Sequence, residues 1–138
     1  MKKLAFFLLL GGLMMTGAKA QKVAVIGLDG ADWDQIRPLM EEGEMPNLAA
    51  VMEEGSQGNL TSTYPVMSPV AWTSYSTGSD PSVHGVYDFL QRSDDGFQPT
   101  TSRTIKQPYF WESIDGKKVV INQPMTYPPK DTEGVLVS

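Results

Sequence analysis

Three side chains in this sequence have the chemistry and the setting to take part in a reaction: Asp29, Ser68 and His84. Asp29 follows the apolar run Val23-Ala24-Val25-Ile26-Gly27-Leu28 and precedes Gly30. Open α/β sheets bind ligands just beyond the carboxyl ends of their strands, so a carboxylate there is placed to hold a hard or borderline metal ion. The same Asp-Gly pair is also an ordinary turn into the next helix, and both readings stand on sequence alone. Ser68 precedes Pro69 and a helical stretch. A helix N-terminus offers N–H donors and positive potential, which suits a phosphate or a developing alkoxide. A serine at that point attacks phosphorus once a metal ion lowers its hydroxyl pKa. Capping of the helix explains Ser-Pro completely, and from the residues alone it is the stronger reading. His84 sits in Pro81-Ser82-Val83-His84-Gly85 as a metal ligand or as a hydrogen-bonded loop residue. It is the single histidine, so neither an imidazole metal cage nor a serine–histidine–acid triad can be argued from spacing.

The elements that must position these residues alternate between strand and helix. Lys22 to Leu28 is β-branched without alternation, as expected of a strand buried on both faces. Asp32 reads as an N-cap for a helix with Trp33, Ile36, Leu39 and Met40 at helical spacing and Gly43 as its end. Met45-Pro46-Asn47-Leu48 opens a second helix, with Leu48, Val51 and Met52 inward and Gly55 as the stop. Gln57 to Thr63 reads as a strand. Ser68 at N-cap with Pro69 at the first helical position opens a third helix, closed by Thr77-Gly78. Asp80 to Gly85 reads as a turn, Val86 to Leu90 as a short strand, and Asp94-Asp95-Gly96 as a polar turn without calcium-loop spacing. A short helix over Tyr109 to Ile114, a buried strand over Lys118 to Asn122, a proline-rich loop and a strand beginning at Gly134 complete the pattern. Trp33, Trp72 and Trp111 lie in helical stretches and read as core. Such alternation predicts an α/β layered sheet.

Composition narrows the function classes. The 138 residues contain no cysteine, which excludes disulfides, thiolate zinc sites and thiol catalysis. A formal charge of −5 opposes a nucleic-acid duplex as partner. Lys2 and Lys3, the apolar run from Leu4 to Met15 and Ala18-Lys19-Ala20 have the form of a secretory signal peptide over residues 1–20. The apolar run is shorter than the roughly 20 residues that a membrane span needs. Cleavage after Ala20 removes three lysines and no acid, leaving 8 basic and 16 acidic residues and a formal charge of −8. The expected product is an exported, periplasmic or extracellular protein without stable membrane insertion. Val135-Leu136-Val137 starts an apolar strand just before Ser138, so the sequence reads as the N-terminal part of a longer protein.

The order of the pieces carries a resemblance. Val25-Ile26-Gly27-Leu28-Asp29-Gly30, Met45-Pro46-Asn47-Leu48, Gly55, Ser68-Pro69-Val70-Ala71-Trp72-Thr73-Ser74, Thr77-Gly78 and His84-Gly85 follow one another along the chain. Together they resemble the start of the type I phosphodiesterase/nucleotide pyrophosphatase group of the alkaline phosphatase superfamily. Within it the chain is most similar to bacterial proteins described as phosphohydrolases or phosphomutases, and Asn122 to Pro129 resembles a loop of those proteins. The resemblance implies that residues 21–138 are the N-terminal portion of an alkaline-phosphatase-like catalytic domain, a layered sheet with helices on both faces. It implies a small-molecule phosphate ester as substrate and two divalent ions, usually zinc. Asp29 matches a metal-ligand aspartate, and Ser68 matches the nucleophile, whose oxygen also meets the metal. The implied mechanism is in-line attack by Ser68, with a phosphoseryl intermediate that water then hydrolyses. Ala71 stands where nucleotide pyrophosphatases carry an asparagine that helps hold phosphate, which counts against nucleotide diesters. Two zinc ions need about six protein ligands. One histidine and Asp29 do not supply them, so this stretch is expected to be inactive by itself. The alternative from another class is a secreted phosphate-binding module without catalysis. Sulfate ester hydrolysis or mutase chemistry on the same fold is a third reading. It is disfavoured by the lack of a sulfatase maturation motif and by the signal peptide.

Overall fold

The structure, a computed structural model, describes residues 22–138. The signal-peptide reading of residues 1–20 lies outside the described residues. The described residues fall into two units, 22–32 and 33–138.

In the first unit the described residues 22–28 have no regular secondary structure, and Asp29-Gly30 forms a turn. Val23, Val25, Ile26 and Leu28 are 62–84% exposed. This corrects the expected strand buried on both faces. A parallel strand is buried only when neighbouring strands and covering helices close over it, and among the described residues no strand pairs with this run.

The second unit begins with α1 (Trp33–Glu41) and α2 (Pro46–Glu54), which pack against each other. Asp34 lies in the first turn of α1, where its charge complements the helix dipole. The guanidinium of Arg37 sits 5.6 Å from the centre of the Trp33 ring, one turn back along the helix. Leu48 and Met52 are partly buried as expected, whereas Val51 faces outward. The expected strand over Gln57 to Thr63 is not formed.

Helix α3 (Ser68–Thr77) has Met67 as its N-cap, since the Met67 carbonyl accepts the first helical bonds, from the Val70 and Ala71 N–H groups. Ser68 is therefore the first helical residue and Pro69 the second, one position later than the sequence suggests. Gly78 ends α3 with φ 62°, a left-handed backbone that glycine adopts without a Cβ penalty. The expected turn at Asp80 to Gly85 contains one helical turn, α4 (Pro81–His84), capped by Asp80 through the Ser82 N–H.

Two small sheets follow. Strands β1 (Leu90–Ser93) and β2 (Gly96–Pro99) form an antiparallel hairpin around the Asp94-Asp95 turn, so the strand expected at Val86 to Leu90 starts later. Strands β3 (Lys118–Ile121) and β4 (Gly134–Val137) pair in parallel, Val119 opposite Val135 and Ile121 opposite Val137. Those four side chains are exposed, while Val120 and Leu136 on the other face are partly buried. Strand β3 is thus half-buried instead of buried. The chain is mixed α/β, and among the described residues its strands form two separate two-stranded sheets.

The core of this unit is aromatic. Val86, Ile105, Tyr109 and Trp111 are buried together, with Val120 and Met125 against them. Tyr109 and Trp111 stack at 4.6 Å. From there edge-on contacts run through the 3₁₀ helix Phe110–Ser113 to α3, Trp111 to Phe110, Phe110 to Tyr75 and Tyr75 to Trp72. The connection between β3 and β4 is a loop without a helix, and its carbonyls are tied down from elsewhere. The Tyr109 hydroxyl donates to the Met125 carbonyl at 2.8 Å, and the Ser102 N–H donates to the Tyr127 carbonyl at 2.8 Å.

One substitution tests the parallel pair. Gly134 has φ 138°, and a Cβ there would collide with the backbone of Lys118 on β3. Gly134→Ala should break the β3–β4 pairing, read as lost amide exchange protection for Lys118 and Asn122, whose N–H groups donate to the Glu133 and Val137 carbonyls. Wild-type protection in the variant would contradict the pairing.

Candidate functional site

Ser68 stands at the positive end of α3, half-buried, in a helix whose start is fixed by the proline and by the Met67 carbonyl. The other hydroxyls of α3 lie further along and serve the helix or its neighbour. Thr73 Oγ1 donates to the Pro69 carbonyl at 2.6 Å, Thr77 Oγ1 to the Thr73 carbonyl at 2.7 Å and Ser76 Oγ to the same carbonyl at 3.2 Å. Such back-bonding satisfies hydroxyls inside a helix but leaves them poor nucleophiles. Ser68 is the one hydroxyl of α3 in its first turn.

The amide cradle at this helix start is thinner than the sequence suggests. Pro69 has no N–H. The N–H groups of Val70 and Ala71 both donate to the Met67 carbonyl, at 3.1 and 3.0 Å. The expectation of several open N–H donors for phosphate oxygens is corrected accordingly. With Met67 as the cap, the alternative reading of Ser68 as the N-cap residue is also corrected.

His84 is wholly buried and uses both ring nitrogens. Its Nδ1 accepts the Val86 N–H at 3.1 Å. That bond assigns the ring proton of the neutral imidazole to Nε2, which donates to Ser74 Oγ at 2.9 Å. The direction matters, because Nε2 gives a proton to Ser74 Oγ and cannot take one from it. A serine–histidine nucleophile is excluded here. Burial pushes the His84 pKa below its ordinary value, and the nearby Asp80 carboxylate opposes this only in part. The hydrogen-bonded reading of His84 holds, and its site as a metal ligand is closed by these two bonds. Ser74 was indistinguishable in the sequence from the other helix hydroxyls. Its contact with His84 depends on how the chain turns at Gly78 and Gly85, which no local spacing encodes.

Asp29 is exposed in its turn within the first unit, and Ser68 belongs to the second. Among the described residues no group of three or more histidines, cysteines or acids is arranged to hold a metal ion. The residues present therefore do not make up a two-ion centre. A separate shallow cavity of about 370 Å3, lined by Trp33, Arg37, Met52, Gln57 and Gly58, contains none of the candidate residues. Among the described residues no helix is long and apolar enough to cross a membrane.

A family model described as type I phosphodiesterase / nucleotide pyrophosphatase matches residues 23–128, a span that includes Asp29, Ser68, Ala71 and His84. No curated protein and no solved structure gives a significant match.

Proposed function

The chain belongs to the type I phosphodiesterase / nucleotide pyrophosphatase family, and from that premise we propose that Ser68 is the nucleophile of an exported phosphate-ester hydrolase. The family hydrolyses small phosphate esters and is generally metal-dependent. The observation that carries the reading is the place of Ser68, inside the matched span and at the positive end of α3.

In the proposed reaction Ser68 loses its hydroxyl proton to solvent, and Oγ attacks phosphorus in line with the scissile bond. The P–O bond to the leaving group breaks, and the leaving alkoxide takes a proton from solvent. Water then attacks the phosphoseryl group, which returns Ser68 and releases the phosphate product. The helix dipole of α3 favours the anionic substrate at this end. Backbone donors contribute little, given Pro69 and the two amides committed to Met67. Ala71 supplies only a methyl group, so a simple phosphate mono- or diester fits better than a nucleotide diester, whose recognition asks for more polar contacts.

Asp29 and Ser68 Oγ are each proposed as metal ligands of the complete enzyme. Two zinc ions are the proposed cofactor of the complete site. The remaining ligands must come from outside the described residues, because these offer no three-ligand group and His84 is committed. The chain of residues 1–138 is accordingly proposed to be inactive by itself. Isothermal titration of this chain with zinc should give no saturable site tighter than the micromolar range, about −8 kcal/mol. Structural zinc sites reach about −10 to −16 kcal/mol. Stoichiometric tight binding would overturn the assignment of missing ligands. Export is proposed from residues 1–20, and the intact mass of secreted protein should correspond to a chain starting at Gln21.

A further inference from the structure

Helix α3 is held at two levels. Its aromatic face leans on the 3₁₀ helix through Tyr75 and Phe110. Its polar ties are Ser74 Oγ to His84 Nε2, between two elements joined by the turn at Gly78, and a longer bond of 3.5 Å from Gln123 Nε2 to the Trp72 carbonyl. His84 is a junction. Besides Ser74 it receives the Val86 N–H on Nδ1, and its carbonyl accepts the Lys106 N–H at 3.1 Å. Val86 in turn belongs to the core cluster with Ile105, Tyr109 and Trp111. The His84 ring thus links α3 to the core, and its backbone carbonyl holds the segment after β2.

We propose that His84 is a positioning residue, a proton-sensitive clasp that holds α3, the helix carrying Ser68, against the core and lets go in acid. The clasp works only with neutral imidazole. A proton added at Nδ1 would face the Val86 N–H, donor against donor, in a place closed to water. The ring must then turn or leave its slot, and the Ser74 bond goes with it. No compensating charge on α3 faces the ring, since Ser68 to Thr77 contains no aspartate, glutamate, lysine, arginine or histidine. Two charged groups lie nearby. Asp80 caps α4, and its carboxylate is already engaged by the Ser82 hydroxyl and N–H. Lys106 lays its methylene chain over Gly85. The catalytic consequence, a fall in kcat with little change in KM as α3 loosens, rests on the reading of Ser68 as nucleophile. The clasp itself does not.

Hydrogen exchange of the full chain tests it. Protection of α3 amides, corrected for intrinsic exchange rates, should fall several-fold as pH drops from 7.5 to 5, while the β1–β2 hairpin changes little. His84→Gln should abolish that acid step. Ser74→Ala, which leaves the core untouched, should lower α3 protection at pH 7.5 and shrink the step, and it serves if the His84 variant does not fold. Nitrogen NMR of the imidazole should place the proton on Nε2 at neutral pH. An α3 protection independent of pH, an undiminished step in both variants, or a proton on Nδ1 would overturn the proposal. Ser68→Ala should leave the acid step unchanged, so failure of the nucleophile assignment and failure of the clasp are told apart.

Discussion

Ser68→Ala should remove at least about 10⁴-fold of turnover in protein expressed from its complete reading frame, while the fold stays intact. Loss of an attacking hydroxyl costs on this scale because the remaining groups of a site can bind substrate but cannot form the covalent intermediate. The fold should survive for a reason specific to this helix. Met67, not Ser68, is the N-cap, so the substitution removes no capping side chain. Alanine is also a better helix former than serine at that position. Stability should change by less than about 2 kcal/mol, the scale of one hydrogen bond lost at a helix start. Ser68→Thr keeps a hydroxyl on the same carbon and should retain measurable turnover. Steady-state assays with a phosphomonoester and a phosphodiester, paired with thermal melts, check both halves. Full activity in the alanine variant would refute the nucleophile.

The second large effect concerns the core. Tyr109→Ala should destabilise the protein by about 3–5 kcal/mol, the range for deleting a buried aromatic ring. The ring is 1% exposed, stacks on Trp111 at 4.6 Å and carries the Lys130 ammonium 4.7 Å from its centre. Its hydroxyl anchors the Met125 carbonyl, and Met125 has φ 67°, an uncommon conformation for a residue with a Cβ. Tyr109→Phe keeps the ring and loses only that anchor, and should cost about 1 kcal/mol. The difference between the two variants separates packing from hydrogen bonding. Burial, with a smaller contribution from Glu112, raises the Tyr109 pKa from 10.0 to about 12. The folded state therefore keeps the neutral phenol longer than the unfolded chain does. This contribution to stability is complete below pH 10 and is lost as pH rises from 10 to about 12. That alkaline step should be missing in Tyr109→Phe. Denaturant titrations across this range measure it.

The helices were legible in the sequence because their punctuation is local. Asp32 and Gly43, Pro46 and Gly55, and Pro69 and Gly78 mark ends through backbone constraints that need no distant partner. Even there the start of α3 falls one residue earlier than expected, since proline is tolerated at the second helical position as well as the first. Strands were less legible. Val23 to Leu28 has the composition of a buried strand, but burial is a property of neighbours, and the run is exposed. Val119 and Ile121 show the same limit, as members of a paired strand with one uncovered face. Of the candidate site, the position of Ser68 at a helix start was readable from Ser-Pro, whereas the commitment of the Val70 and Ala71 amides was not. His84 was readable as a hydrogen-bonded residue. Its partners were not, because the Ser74 contact and the tautomer depend on how two glycine turns fold α4 back toward α3.

The most direct test of Ser68 as nucleophile is chemical trapping. Protein from the complete reading frame, loaded with zinc, is mixed with a phosphomonoester, quenched in acid within the first turnovers and mapped by peptide mass. A substrate-derived phosphoryl group on Ser68, absent from the Ser68→Ala variant, is the expected result. Turnover by the Ser68→Ala variant at the wild-type rate, with no phosphoryl group on Ser68 in the wild-type protein, would contradict it.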